Sequence, residues 1–178
     1  MKCNNGQVIW ITGLSDSGKT TLANEVVSRL KQSNHPVISL DGDELRGVFG
    51  ASAESEGNHA RQARLNLAMK YSRLCYLLAS QGMTVVIGTI SLFREVHEWN
   101  RENLPGYFEV FLKVPMDELR RRDSKGIYKK FDSGELTNVA GLDLTVDEPQ
   151  AADIRFDFEP ERSIVSMTDE LFKKISSN

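Results

Sequence analysis

Short apolar runs and longer amphipathic stretches alternate along the chain. The runs are rich in β-branched and aromatic residues, and this composition predicts buried strands. They fall at residues 8–11, 36–40, 84–90 and 108–115. Residues 153–158 alternate polar with apolar side chains, as expected of a last strand.

Stretches with helical periodicity fill most of the chain between these strands. In the longest one, residues 58–81, Leu65, Ala68, Cys75 and Leu78 form an apolar stripe. Further helices are predicted at residues 18–33, 117–123 and 168–178, and at residues 91–103 with Ser91 as N-cap. Residues 50–57 are small and polar, which predicts a mobile loop. Because strands alternate with helices, we predict an α/β fold with a parallel β-sheet and helices on both faces.

Length, charge and cysteine content narrow the class of protein. A chain of 178 residues favours one domain, spanning residues 1–178. The net charge of −3 gives no broad attraction to a nucleic acid polymer or to a membrane. Cys3 and Cys75 do not suggest a disulfide framework, and we see no leader or membrane-spanning run. We therefore expect a cytoplasmic protein.

The first predicted strand leads into a phosphate-binding loop. Residues 13–20 read Gly-Leu-Ser-Asp-Ser-Gly-Lys-Thr, which fits the P-loop pattern G-x-x-x-x-G-K-S/T between a strand and a helix. Backbone N–H groups of such a loop cradle phosphates at a helix N-terminus. The lysine reaches the β- and γ-phosphates of ATP, and the threonine hydroxyl joins the shell of Mg²⁺. We therefore predict nucleoside triphosphate binding at Gly13, Ser15, Ser17, Gly18, Lys19, Thr20 and Thr21.

Acidic residues flank the predicted phosphate site. Asp16 adds a carboxylate to a loop built for anions, and we expect its side chain to point to solvent. Asp41-Gly42-Asp43 follows the second strand, where open α/β sheets place ligand groups. The same residues could instead form a turn that caps the next helix, and local signals leave both interpretations open.

Basic residues provide candidate anion sites. Arg61 and Arg64 share one side of the first turns of their helix, where positive charge opposes the helix dipole and so points to an anionic ligand. A basic segment with Arg122 and Lys125 could form a lid over the triphosphate, around residues 120–140. For both groups, a solvated charged face is the alternative interpretation.

The residues around the loop favour a kinase over other nucleotide-binding classes. A small GTPase would carry an Asn-Lys-x-Asp guanine reader, which this sequence lacks. A motor ATPase usually has adjacent acidic residues after an apolar strand, to activate water. Asp41-Gly42-Asp43, with Arg46 three residues later, is better suited to seat an acceptor hydroxyl beside a carboxylate.

Taken together, these motifs resemble those of the adenylylsulfate kinases. In order, they are residues 13–20, residues 40–46 (Leu-Asp-Gly-Asp-Glu-Leu-Arg), Ile90-Ser91, residues 122–130 (Arg-Asp-Ser-Lys-Gly-Ile-Tyr-Lys-Lys) and residues 134–136 (Gly-Glu-Leu). The similarity covers residues 8–149. It implies a P-loop kinase that transfers the γ-phosphate of ATP to the ribose 3′-hydroxyl of a nucleotide. Members of this family are often dimers, so a homodimer is a candidate assembly.

The resemblance also implies roles for individual residues. Asp43 would orient the acceptor hydroxyl, act with Lys19 as a catalytic residue and join Thr20 in holding Mg²⁺. Arg46 and Arg61 would hold the acceptor's 5′ anionic groups, and Arg122 and Lys125 would contact ATP. The acceptor site would be completed by Asp41, Arg64, Ile90, Ser91, Lys125 and Val139.

The sequence departs from the family where the acceptor base binds. In adenylylsulfate kinases two phenylalanines hold the adenine, whereas the corresponding segments here are Glu-Gly-Asn at 56–58 and Thr-Asn-Val-Ala-Gly at 137–141. The asparagine expected after Arg61 is Arg64, and the proline expected after Ser91 is Leu92. Because base–aromatic stacking is worth ~1–3 kcal/mol per base, these differences predict a rebuilt base pocket.

These departures resemble a branch of the family that is found with capsule biosynthesis enzymes. Three further segments carry the resemblance: residues 89–93 (Thr-Ile-Ser-Leu-Phe), 99–103 (Trp-Asn-Arg-Glu-Asn) and 138–143 (Asn-Val-Ala-Gly-Leu-Asp). That branch phosphorylates cytidine diphosphoramidate, a cytidine nucleotide with a 5′ phosphoramidate in place of the sulfate. A smaller pyrimidine would suit a pocket with Val139 in place of an aromatic ring. The alternatives are a true adenylylsulfate kinase that stacks another residue on the base, a non-catalytic nucleotide-binding regulator, and a phosphotransferase for a sugar or antibiotic hydroxyl.

Overall fold

The computed structural model describes residues 6–50 and 58–177. Its strands are β1 (Gln7–Thr12), β2 (Val37–Asp41), β3 (Thr84–Thr89), β4 (Tyr107–Lys113) and β5 (Ile154–Asp157). They form one sheet in the order β2-β3-β1-β4-β5. Every pair of neighbours is parallel. The predicted parallel sheet is therefore confirmed, with β1 at its centre.

Helices cover both faces of this sheet, as the sequence predicts. They are α1 (Lys19–Gln32), α2 (Gly42–Val48), α3 (Asn58–Ala79), α4 (Arg94–Asn103), α5 (Met116–Arg122), α6 (Ile127–Asp132) and α7 (Ile164–Ile175). Successive side chains of a strand point to opposite faces. Accordingly, Trp10 of β1 packs among residues of α3 and α4, whereas Ile11 packs among residues of α1 and α7.

Several predicted boundaries shift, and the described contacts explain two of them. Helix α4 begins at Arg94 with Phe93 as its N-cap, so the prediction of Ser91 as N-cap is wrong. The Ser91 hydroxyl instead lies 2.8 Å from that of Thr89, at the end of β3. Helix α7 begins earlier than predicted, because the Ser163 side chain accepts a hydrogen bond from the Ser166 N–H at 3.1 Å.

The structure adds two short helices to the predicted elements. Helix α2 lies directly after β2, and helix α6 lies inside the predicted lid.

Residues 51–57 of the predicted loop and Cys3 lie outside the described residues. Over the described ranges, no helix has both the length and the apolar character that a membrane span requires.

A buried carboxylate joins the sheet to α4. Glu109 of β4 is 2% exposed. It accepts hydrogen bonds from the Tyr107 hydroxyl at 2.9 Å and from Arg101 at 3.4 Å, and it lies 2.7 Å from Nδ1 of His97. The other ring nitrogen of His97 lies 3.1 Å from the backbone oxygen of Asp147. Glu109 and His97 therefore fasten the segment around Asp147 to the core.

We predict that Glu109→Ala lowers the free energy of unfolding by about 1–3 kcal/mol, because the partly buried Tyr107 hydroxyl and the His97 ring lose their hydrogen-bond partner. Urea denaturation followed by circular dichroism measures the change. Glu102→Ala, at an exposed position of α4, is the matched control and should leave the midpoint unchanged. Equal midpoints for the two variants would contradict the structural role of Glu109.

Candidate active site

The P-loop forms a turn that only particular residues can make. Gly13 and Gly18 have φ values of 155° and 98°. A Cβ atom on Gly13 would lie 2.7 Å from the backbone oxygen of Leu112, so no other residue fits there without a shift. Gly18 precedes α1, whose N-terminus has no side-chain cap. The first N–H groups of α1 are therefore available to phosphate oxygens.

The side chain of Lys19 folds back onto the P-loop. Its ammonium donates hydrogen bonds to the backbone oxygen of Leu14 at 2.6 Å and to the Ser17 hydroxyl at 3.5 Å. Burial, with a further contribution from the positive charge of Lys125, lowers the pKa of Lys19 to about 8. A phosphate group beside this ammonium would replace weak neutral acceptors with strong charged ones.

A cleft of about 1210 Å³ opens beside the P-loop at the carboxyl edge of the sheet. Predicted residues from the P-loop, α2, α3, the end of β3 and the lid line it together. They are Ser15, Gly18, Lys19, Thr20, Thr21, Asp41, Asp43, Arg46, Arg64, Ile90, Ser91, Arg122, Lys125 and Val139. Of the predicted site residues, Gly13, Ser17 and Arg61 are the ones that do not line the described cleft.

Asp41 both caps a helix and faces the cleft, so the two interpretations left open by the sequence hold together. One of its oxygens accepts a hydrogen bond from the N–H of Asp43 at 2.8 Å, at the start of α2. The other accepts from the Thr20 hydroxyl at 3.0 Å. The oxygens of Thr20 and Asp41 are hard ligands of the kind that Mg²⁺ takes alongside water and phosphate oxygens.

Asp43, for which the resemblance implies a place beside Thr20 in the metal shell, contacts the lid. It accepts a hydrogen bond from the Lys125 ammonium, and Arg46 lies 3.8 Å from its other oxygen. Burial raises the pKa of Asp43, but the hydrogen bond and charge of Lys125 outweigh it, and the net pKa is lowered. Asp43 is therefore an ionised carboxylate that already has a cationic partner. Within the described ranges, no cluster of three or more His, Cys, Asp or Glu residues forms a metal site.

The lid closes directly onto the P-loop, and Asp16 takes part in the closure. Its backbone is left-handed, with φ 58°, as an aspartate tolerates. The expectation that its side chain points to solvent is wrong, because it accepts hydrogen bonds from both the N–H and the hydroxyl of Ser124. Arg122 donates to the backbone oxygen of Asp16 at 3.1 Å, and the Tyr128 hydroxyl donates to that of Ser15 at 3.1 Å.

Arg61 and Arg64 occupy different surroundings. The Arg61 guanidinium lies 3.1 Å from Asp147 and 3.4 Å from Glu95, and it covers the Phe93 ring at 5.2 Å. Arg64 lines the cleft. Burial lowers the pKa of Arg64, and the positive charge of Arg46 lowers it further.

A second cavity, of about 200 Å³, lies against Ser17, Gly18 and Thr21. Arg122 lines both cavities, and its guanidinium covers the Phe158 ring at 5.2 Å. Sequence reasoning did not select Phe158 or Pro160, which also line this smaller cavity. The available signal was their position just after β5, at the same edge of the sheet as the P-loop.

Comparison with known proteins identifies the family. The family model described as adenylylsulphate kinase matches residues 5–157. The chain belongs to the adenylylsulfate kinase family. Over 148 residues it is 41% identical to the cytidine diphosphoramidate kinase of Campylobacter jejuni subsp. jejuni serotype O:2, covering 83% of this chain and 84% of that protein. Over 148 residues it is 32% identical to the adenylyl-sulfate kinase of Gloeothece citriformis, covering 81% of this chain and 80% of that protein.

A solved structure agrees with this family. The APS kinase of Mycobacterium tuberculosis, in complex with AMPPNP and APS, matches with a TM-score of 0.85 and 31% identity. The match covers 97% of this chain and 98% of that one. The protein is thus an adenylylsulfate kinase-type phosphotransferase that acts on a hydroxyl group, in a family that uses ATP.

Lys19 gives ATP binding a pH dependence of defined sign. Its pKa is about 8 in the free protein, and phosphate charge beside it raises that value. The complex therefore holds a proton that the free protein begins to lose, and we predict that ATP affinity falls as the pH rises above about 8. Calorimetry of ATP binding at about pH 8.5, in buffers of different ionisation enthalpy, measures the expected proton uptake.

Lys19→Arg is the matched control for this measurement. A guanidinium keeps its proton across the same pH range, so ATP binding by this variant should take up no proton at this position. Proton uptake that is equal in the wild type and in Lys19→Arg would assign the effect to another group.

Proposed function

We propose that the protein transfers the γ-phosphate of ATP to the ribose 3′-hydroxyl of cytidine diphosphoramidate, as one kinase domain with a lid at residues 120–140. One observation carries the proposal of transfer between two nucleotides. The P-loop, the Asp43 carboxylate and the lid residue Lys125 line a single cleft of about 1210 Å³. A site for ATP alone would have no need of a carboxylate beside an open acceptor space.

ATP would occupy the side of the cleft nearest the P-loop. Its phosphates would lie on the first N–H groups of α1 and beside Lys19. Its adenine would lie in the smaller cavity, where the guanidinium of Arg122, already placed over the Phe158 ring, offers a flat surface to a base. Thr20 and Asp41 would hold Mg²⁺, which when bound neutralises charge on the phosphate oxygens.

The acceptor would occupy the side nearest Asp43. Its 3′-hydroxyl would displace Lys125 from the Asp43 carboxylate, which would align the hydroxyl and accept its proton as the new O–P bond forms. The bond from the γ-phosphorus to the bridging oxygen breaks at the same time, and ADP leaves. Lys125, released from Asp43, and Lys19 would then balance charge on the transferring phosphoryl group.

The proposed acceptor base rests on the pocket wall and on sequence similarity. Val139, where an aromatic ring was expected, is 5% exposed and packs against Leu119 and Tyr128, so it offers no flat face to a purine. Among the described lining residues, Tyr71 and Phe93 are the aromatic ones, and both are buried. Residues 56 and 57, at the other expected aromatic position, lie outside the described residues. The 41% identity to a cytidine diphosphoramidate kinase adds further support.

Steady-state assays with each acceptor test the proposed substrate. With ATP saturating, we predict that kcat/KM for cytidine diphosphoramidate exceeds that for adenylylsulfate at least about tenfold, because stacking on adenine has been lost. A coupled assay for ADP measures both, with ATP alone as the blank. An equal or reversed ratio would favour the alternative, a true adenylylsulfate kinase in which another residue stacks on the base.

Replacing Asp43 tests the proposed chemistry independently of the acceptor base. We predict that Asp43→Asn lowers kcat by about 10²–10⁴-fold with the better acceptor, because the hydroxyl loses its alignment and its proton acceptor. Lys19→Ala should nearly abolish transfer. Asp117→Asn, an exposed aspartate of α5, is the control for charge removal and should match the wild type. Wild-type turnover by Asp43→Asn would contradict the role of Asp43. A wild-type protein that binds ATP but transfers phosphate to no acceptor would instead favour a non-catalytic nucleotide-binding regulator.

A further inference from the structure

Two arginines one helical turn apart on α3 differ in whether they can reach an acceptor. Arg61 does not line the described cleft, although the family resemblance implies that it holds the acceptor's 5′ anionic groups. Arg64 stands where the family has an asparagine, and it lines the cleft. The described cleft is therefore lined by an arginine one helical turn further along α3 than the family resemblance implies.

Arg61 is held in a clamp made by this chain's own residues. Its guanidinium contacts the carboxylates of Asp147 and Glu95 and covers the Phe93 ring. Asp147 is itself fixed, because its carboxylate accepts from the Arg94 N–H at 3.2 Å and its N–H donates to Leu92 at 3.0 Å. Arg61 thus already has two carboxylate partners, and it does not line the described cleft.

Arg64 lies on the face of α3 that is turned to the cleft, together with Leu67, Ala68 and Tyr71. No carboxylate of the described residues lies within salt-bridge distance of its guanidinium. The negative charge of Asp143 acts to raise the pKa of Arg64. The Asp143 carboxylate, however, already accepts hydrogen bonds from the N–H groups of Asn138 at 2.7 Å and Val139 at 2.6 Å. Arg64 is therefore a partly buried cation with hydrogen-bond donors to spare.

Arg46 faces the same part of the cleft from α2. Its guanidinium lies 3.8 Å from the Asp43 carboxylate, at the outer limit of an ion pair. Its positive charge lowers the pKa of Arg64. Two guanidinium groups that share a partly desolvated space repel each other unless an anion lies between them. A planar guanidinium can donate two parallel hydrogen bonds to phosphate oxygens, so a phosphate chain suits this pair.

We propose that Arg64 binds the 5′ phosphate chain of the acceptor nucleotide together with Arg46, whereas Arg61 is a positioning residue that holds the wall of the cleft. The identity of the acceptor rests on the function proposed above. The assignment of Arg64 to the anionic chain, rather than to the base, rests on the placement of the two arginines.

Competitive inhibition by cytidine, CMP and CDP, at saturating ATP and against cytidine diphosphoramidate, separates the base from the phosphate chain. In Arg64→Asn we expect the inhibition constant of cytidine to stay unchanged and that of CDP to rise by about 10- to 100-fold. The KM for ATP should also stay unchanged. Arg64→Lys should recover part of the loss, because it keeps the charge without the planar fork.

Two further variants separate phosphate binding from effects on shape or overall charge. Arg73→Asn, at an exposed position of the same helix, removes the same charge and should leave all three inhibition constants unchanged. Arg61→Asn should raise the inhibition constants of cytidine, CMP and CDP by the same factor, because it disturbs the wall of the cleft but removes no contact to phosphate.

Two outcomes would overturn the proposal. If Arg64→Asn weakens cytidine as much as CDP, Arg64 contacts the nucleoside; if CDP inhibition does not change, Arg64 does not bind the chain. Failure of the proposed function shows separately, as a wild-type enzyme that prefers adenylylsulfate. In that case the same variants are compared with adenosine and AMP as inhibitors against adenylylsulfate, and a loss confined to AMP would still support Arg64.

Discussion

The unsatisfied N–H groups at the start of α1 are the constraint on which the site depends. They exist because β1 turns into α1 through left-handed backbone at Gly13 and Gly18, with no side chain to cap the helix. Since β1 is the central strand, this turn lies between the carboxyl ends of β3 and β4. Loops from both sides of the sheet therefore converge on the same phosphate position.

Most of the fold could be predicted from the sequence because its signals are local. The buried strands are continuous apolar runs, and Leu65, Ala68 and Cys75 do pack on the sheet as the stripe of α3 predicts. Boundaries that depend on side-chain contacts were less accessible. The hydroxyl of Ser91 has an equally good partner in Thr89, and nothing in the order of residues reveals that choice.

The site was predictable where a motif fixes the backbone and less so where distant residues compete for a side chain. Lys19, Thr20 and Asp43 meet in one cleft because each follows a strand that ends at the same edge. Asp16 was expected in solvent because its partner, Ser124, lies 108 positions away. The same limitation applies to Arg61, whose carboxylate partners come from α4 and from the segment before β5.

The contact between Lys125 and Asp43 also bears on how the enzyme treats ATP when no acceptor is present. On the proposed mechanism, Asp43 is the group that would receive a proton from an attacking oxygen. While the acceptor space is empty, an ammonium group occupies that carboxylate. A water molecule in the same space would have to compete with Lys125 for that carboxylate, and hydrolysis of the nucleotide would be slowed. Lys125 would thus couple ATP consumption to the presence of a bound acceptor.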